Sequence, residues 1–164
     1  MFELRYPHLF EPIVLGGTVF RNRIFASPTG YQNVTCDDIL PPGAEAYYER
    51  KARGGAASVA TCELLVDNEL GRGGANQICI ESPRAYNPLC RIAHAVSRQG
   101  AVATAELQHA GMYANRELSF FGGASTGIAY GPVECEVDGR HINAMSEELI
   151  ERTIEKYAAA ARTA

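Results

Sequence analysis

The sequence contains no long hydrophobic run. Its apolar stretches are a handful of residues each, far short of the roughly 18 that a transmembrane helix needs, and the start Met1-Phe2-Glu3-Leu4-Arg5 lacks the apolar core of a signal peptide. A cytoplasmic chain with no membrane contact is therefore expected. Nor is there an excess of basic charge: 15 Lys and Arg stand against 19 Asp and Glu, a formal net charge of −4, with the two signs interspersed. Nothing marks a polyanion-binding surface, so nucleic acid is not an expected partner. The five cysteines (Cys36, Cys62, Cys79, Cys90, Cys135) form an odd set without a C-x-x-C pair. That pattern suggests neither a disulfide framework nor a zinc knuckle and reads as reduced thiols. Cys62 and Cys90 lie in apolar segments and are expected to be buried small hydrophobes. What remains is ordinary globular composition, 46% apolar and 21% charged over 164 residues, which fits one domain.

Periodicity organises the chain. Ile13-Val14-Leu15 and Thr18-Val19-Phe20 flank Gly16-Gly17, which predicts a β-hairpin whose two turn residues both take positive φ. Arg23 to Ser27 reads as a short buried strand stopped by Pro28 and Gly30. A helix is predicted from Ala44 to Arg53, rich in helix formers and ended by Gly54-Gly55. The pattern then repeats. Ala56 to Leu65 is strand-like, a helix follows with Leu89, Ile92, Ala93 and Val96 on one face, and Ala101 to Ala105 forms a third apolar run. After a glycine-rich loop (Gly122, Gly123, Gly127, Gly131), Ser146 offers a helix cap with Glu147 and Glu148 in the first turn. The stripe Ile150, Ile154, Tyr157, Ala158 and Ala161 runs on at helical spacing.

Strand cores near residues 24, 58 and 102, each followed by a helix, describe consecutive β-α units in a parallel sheet. A (β/α)8 barrel has eight such units in about 250 residues. The expected fold class is thus α/β, an incomplete (β/α)8 TIM barrel made of an amino-terminal β-hairpin and about three β-α units. An aldolase-type barrel would need a Schiff-base lysine at a strand end, and both lysines, Lys51 and Lys156, fall on predicted helices.

Several ordered stretches carry a family likeness: Leu9-Phe10-Glu11-Pro12, Leu15-Gly16, Arg21-Asn22-Arg23-Ile24 and Ala26-Ser27-Pro28, then Tyr48 with Ala52-Arg53-Gly54-Gly55-Ala56, Leu107-Gln108-His109-Ala110-Gly111, and Met145-Ser146-Glu147-Glu148 with Ile150. Together they resemble the opening of the Old Yellow Enzyme family of flavin-dependent ene-reductases, in register over nearly the whole chain. Within it the likeness is to the long bacterial dienoyl-CoA and enoate reductase type. The resemblance implies that residues 1–164 are the amino-terminal portion of an FMN-binding TIM-barrel domain. It implies FMN here and, in the complete protein, a 4Fe-4S cluster, FAD and NAD(P)H whose binding regions follow Ala164.

The same likeness implies site residues. Ala26, Ser27, Pro28 and Thr29 correspond to backbone lining the flavin ring. The next position, a Thr or Cys that hydrogen-bonds the flavin near N5 in the family, is Gly30, so Thr29 or a backbone N–H must substitute. Cys62-Glu63 matches a small-residue position whose backbone faces the flavin, with Glu63 carried as a contact. Glu106 stands where the family has a Gln on the flavin pyrimidine edge; its carboxylate accepts from N3–H but does not donate to O2. Without the family, Glu63 reads as a solvated carboxylate, Glu106 as a strand cap, and Pro28 and Gly30 as a turn. The substrate-anchoring His pair belongs to the fourth barrel strand, so no catalytic residue is assigned. His109 reads as structural, His8, His94 and His141 as surface groups, and no metal site is expected. The glycine-rich loop reads as a mobile cover over the barrel mouth.

The expected activity of the complete protein is NAD(P)H-dependent reduction of activated C=C bonds in a small unsaturated carbonyl substrate, with these 164 residues alone inactive. Open parallel edges favour a homo-oligomer. The alternative is a non-catalytic truncated partial barrel that acts by self-association or partner binding.

Overall fold

The computed structural model describes residues 5–30, 40–41, 43–74, 77–114 and 127–164. In chain order the strands are β1 (Ile13–Leu15), β2 (Thr18–Phe20), β3 (Phe25–Ala26), β4 (Ser58–Leu65), β5 (Ile78–Cys79), β6 (Val102–Gln108), β7 (Tyr130–Gly131), β8 (Cys135–Val137) and β9 (Arg140–Ala144). The α-helices are α1 (Ala44–Arg53), α2 (Pro83–Ser97) and α3 (Glu147–Thr163). The chain forms two compact units, residues 1–31, 41–62 and 87–106 in one, and 32–40, 63–86 and 107–164 in the other.

In the first unit β1 and β2 pair antiparallel with Val14 opposite Val19, joined by Gly16 (φ 55°) and Gly17 (φ 81°). Two successive positive φ values give the primed turn whose twist matches that of the strands. β3 is shorter than the expected strand. It runs parallel to β4 with Phe25 opposite Ser58, and the Ala57 N–H donating to the Ile24 carbonyl (2.8 Å) extends the pairing by one bond. β6 also pairs with β4, the Val102 N–H donating to the Ala57 carbonyl at 2.9 Å. α1 has the predicted bounds and buries Ala44, Tyr48 and Ala52, four residues apart on one face.

α2 departs from the expected face. Ile92, Ala95 and Val96 are buried and Leu89 half-buried, but Ala93 and Cys90 are exposed. At about 100° per residue, Ala93 and Cys90 point about 100° and 160° away from Ile92, off the buried stripe. The expectation that Cys90 is a buried hydrophobe is therefore wrong, whereas Cys62 is buried.

The Arg21-Asn22 pair closes this unit. The Arg21 guanidinium donates to the Ala52 (2.6 Å), Ala56 (2.8 Å) and Gln99 (2.7 Å) carbonyls. Ala52 belongs to the last turn of α1, Ala56 to the link from α1 into β4 and Gln99 to the turn just past α2, so one side chain ties three segments together. Asn22 donates to the Gly55 carbonyl (2.8 Å) and accepts the Ile24 N–H (3.0 Å), fixing the entry into β3.

The second unit holds the end of β4, where Leu64 pairs with Ile78 of β5 in parallel and the Val66 N–H donates to the Gln108 carbonyl at 3.1 Å. A small sheet of order β7-β9-β8 was not anticipated, its strands being too short and polar to show a period. α3 begins at Ser146, whose Oγ accepts the Leu149 N–H (3.2 Å), as the sequence predicts. Its apolar stripe stays largely uncovered, with Ile150 42% and Ile154 55% exposed. Of the glycine-rich loop, Gly122 and Gly123 lie outside the described residues.

Two outcomes follow. Replacing Gly16 and Gly17 together by Val forces β-branched residues into left-handed backbone and costs about 2–4 kcal/mol, read as a lowered denaturation midpoint in chemical unfolding. Arg21→Lys replaces a fork reaching three carbonyls by a point donor and costs about 2–3 kcal/mol in the same assay; equal midpoints for mutant and parent refute the clamp.

Candidate functional site

The segment Ala26 to Gly30 leaves the carboxyl end of β3 and stays open to solvent, with Ala26 half-buried and Ser27, Pro28, Thr29 and Gly30 exposed. α1 holds it from behind. The Tyr48 hydroxyl, on a fully buried side chain, donates to the Thr29 carbonyl at 3.2 Å and accepts the Cys62 N–H at 3.0 Å. Burial pushes the Tyr48 phenol well above its ordinary value, with the Cys62 thiol adding to the effect, so it stays protonated. The Thr29 hydroxyl pairs with the Tyr47 hydroxyl at 3.0 Å and accepts from the Lys51 ammonium. Those contacts, the Thr29 bond first, pull the Tyr47 phenol below its ordinary value. Lys51 also lies over the Tyr47 ring, 4.4 Å from its centroid. The Thr29 side chain is thus engaged on α1, which leaves a backbone N–H as the donor able to stand in for the side chain missing at Gly30.

Gly30 itself is informative. Its φ is not left-handed, and a Cβ there would meet only the Cys62 Cβ, at 4.0 Å, among the described residues. Neither backbone conformation nor packing against the described residues demands glycine at this place, and the missing side chain leaves the main chain of Gly30 open.

Glu106 is half-buried within β6 and does not cap it, since the strand continues to Gln108. It lies four residues beyond Val102, and Cys62 lies five beyond Ala57, the Val102 N–H partner, so both stand toward the carboxyl ends of their strands. Glu63 is exposed, and its carboxylate accepts from Gln77 Nε2 at 3.1 Å. The same nitrogen donates to Gln108 Oε1 at 2.6 Å, while Gln77 Oε1 accepts the N–H groups of Gly73 (2.8 Å) and Gly74 (3.1 Å). Sequence reading missed Gln77 and Gln108 in this chain and Tyr48 as a bridge. Partners so far apart along the chain leave no periodic signal.

In the second unit, the buried Asp67 accepts the N–H groups of Glu69 (2.8 Å) and Leu70 (3.1 Å) and faces Lys156 (3.7 Å) and Arg152 (4.0 Å) of α3. Lys156 also reaches Glu81, and Arg152 reaches Glu69 at 2.7 Å. His109, beside Asp67, accepts the Gly111 N–H on Nδ1 at 3.0 Å. Burial draws its pKa below the ordinary value against the opposing pull of Asp67. It is a structural histidine, as the sequence suggests; His8, His94 and His141 are exposed. Among the described residues no group of three or more His, Cys, Asp and Glu could hold a metal, and no helix is long and apolar enough to cross a membrane.

Parallel strands, helices between them and open carboxyl-end loops define part of an α/β barrel, the architecture whose active sites gather at those ends. Residues 8–164 match the model of the NADH:flavin oxidoreductase / NADH oxidase family, and the chain belongs to that family. A metal reductase of Desulforamulus reducens is 28% identical over 95% of this chain, which spans 22% of that protein. An NADH:acrylate oxidoreductase of Vibrio harveyi is 28% identical over 90% of this chain, which spans 14% of it. The Old Yellow Enzyme from Pichia sp. AKU4542 superposes with a TM-score of 0.82 at 23% identity, over 95% of this chain and 42% of that one, which shows the shared barrel fold. The chain thus covers less than a quarter of the two curated relatives.

The sign of the His109 shift fixes a pH dependence. A histidine whose pKa is lower folded than unfolded contributes stability that is full above about 6.5 and is lost as pH falls through the folded value. His109→Asn keeps an acceptor for the Gly111 N–H but carries no titrating proton. Chemical unfolding between pH 7.5 and 5.5 is expected to show a shallower loss of stability for the variant, and parallel curves would refute the buried neutral ring.

Proposed function

We propose that this chain is the amino-terminal part of an FMN-dependent ene-reductase that reduces activated C=C bonds of enoates, enones or enoyl thioesters with NAD(P)H. The observation that carries the reading is the exposed backbone from Ser27 to Gly30 at the carboxyl end of a barrel strand, beside the buried Cys62, in a chain of the NADH:flavin oxidoreductase / NADH oxidase family. The likeness to the acrylate-reducing relative supports the C=C substrate class.

FMN, when bound, supplies two-electron chemistry, taking hydride from a nicotinamide and giving it to an electron-poor alkene. In this reading Ala26 to Thr29 present backbone to the ring, Gly30 admits close approach, and the segment at Cys62-Glu63 adds a second backbone edge. The Glu63 carboxylate is already committed to Gln77, so its contribution is main-chain. With FMN bound, Glu106 would accept a hydrogen bond from the pyrimidine N3–H, and a carboxylate there would disfavour the reduced anion. In this reading the complete protein also carries a 4Fe-4S cluster and FAD. The exposed Ile150 and Ile154 suit burial against further barrel strands or a second copy.

The test uses the barrel that contains this sequence, loaded with FMN under anaerobic conditions, with NADH-dependent reduction of acrylate followed spectroscopically. Bound FMN and alkene reduction are expected; a barrel that binds FMN but leaves alkenes untouched would overturn the substrate class. Glu106→Gln is expected to raise the flavin reduction potential by roughly 30–90 mV, the Coulomb energy of one nearby charge over a two-electron couple. A potential that stays the same or falls would remove Glu106 from the flavin.

A further inference from the structure

Tyr48 joins two strand ends that no backbone ladder joins. Its hydroxyl donates to the Thr29 carbonyl (3.2 Å) and accepts the Cys62 N–H (3.0 Å), and its side chain has no exposed surface. β3 pairs with β4 only at Phe25 and Ala26, opposite Ser58 and Val59. Beyond that pairing the two backbones run on to Thr29 and Cys62 with the tyrosine hydroxyl as the bridge between them. The neighbouring contacts act in the same sense, since the Thr29 side chain is turned to Tyr47 and Lys51, on the same helix. Gly30, the next residue, then lies 4.0 Å from the Cys62 Cβ, measured to the position its own Cβ would take.

Resting on the flavin reading above, we propose that Tyr48 is a positioning residue for FMN: its hydroxyl sets the spacing between Thr29-Gly30 and Cys62, and so the geometry of the backbone groups offered to the ring. The residue touches no reacting atom. It acts through the two main-chain groups it holds, of which the buried Cys62 N–H is costly to leave unpaired and the part-buried Thr29 carbonyl less so. The phenol keeps its proton across the working pH range because burial disfavours the phenolate, so the bond to the Thr29 carbonyl is not switched by pH. Lys51 holds the same segment through Thr29 Oγ1 from the exposed side, where water competes for the contact.

The experiment compares the FMN-loaded barrel carrying Tyr48, Tyr48→Phe, and p-aminophenylalanine at position 48, whose amine both donates and accepts. For each, FMN dissociation constant, flavin visible spectrum and reduction potential are read beside the thermal midpoint of the apoprotein. Expected are an FMN affinity about tenfold weaker in Tyr48→Phe, a displaced flavin spectrum and potential, and recovery of all three with p-aminophenylalanine. A purely structural residue would lower the apoprotein midpoint and leave the flavin spectrum, potential and affinity of the folded protein unchanged, and that result overturns the proposal. If Tyr48→Phe does not fold, 2,3-difluorotyrosine, which alters the hydroxyl's hydrogen-bond strength without removing it, must shift the flavin spectrum, and an unmoved spectrum overturns it equally. A parent barrel that takes up no FMN sinks the flavin reading itself. A parent that binds FMN beside an indistinguishable Tyr48→Phe sinks only the role of Tyr48.

Discussion

The guanidinium of Arg21 is the contact on which the first unit depends. Segments that leave helix ends carry carbonyls without a partner in the helix or the sheet, and a single donor that reaches several of them fixes those segments together. One planar fork of donors meets the carbonyls of Ala52, Ala56 and Gln99 at 2.6–2.8 Å, and Asn22 beside it fixes Gly55 and Ile24. The hairpin, the ends of α1 and α2 and the start of β3 are thereby set from one two-residue segment. From there β3 needs only two paired residues, because its far end is held separately by the Tyr48 hydroxyl. The exposed stretch from Ser27 to Gly30 is thus anchored at both ends and free on one face, which is what a backbone surface for a planar ring requires.

The second unit is organised by a different device. Asp67 is buried, and its cost is offset by two backbone N–H groups and by the cations of α3. Gln77 plays a neutral version of the same part, its amide oriented by the Gly73 and Gly74 N–H groups so that the nitrogen faces Glu63 and Gln108. In the second unit the loops are held by local side-chain contacts, from Asp67 to Glu69 and Leu70 and from Gln77 to Gly73 and Gly74, joined to distant partners on α3, Glu63 and Gln108.

That division explains what could be read from the sequence. The hairpin, α1 and the Ser146 cap of α3 were legible because each is specified within a few residues, by Gly16-Gly17, by Gly54-Gly55 and by a serine before two glutamates. The buried face of α2 was only half legible, since Ala93 and Ala95 are alike in composition and differ only in their angle to Ile92. The β7-β9-β8 sheet left no period because its strands are two to five residues long. Of the candidate site, the strand ends carried a family likeness and Gly30 an evident departure from it. The bridging of Thr29 to Cys62 by Tyr48 spans 19 and 14 residues and has no local signature. Likewise, that Glu63 is committed to Gln77 and that Glu106 sits inside β6 follow from pairing, which residue type alone does not encode.

In the proposed function FMN meets this chain at the carboxyl ends of β3, β4 and β6. Amide hydrogen exchange of the barrel containing this sequence, with and without FMN, tests it most directly. Protection is expected at residues 27–30, 62–63 and 106, with no change at the Gly16-Gly17 turn on the hairpin. Protection of the hairpin with unchanged exchange at 27–30 would contradict the account.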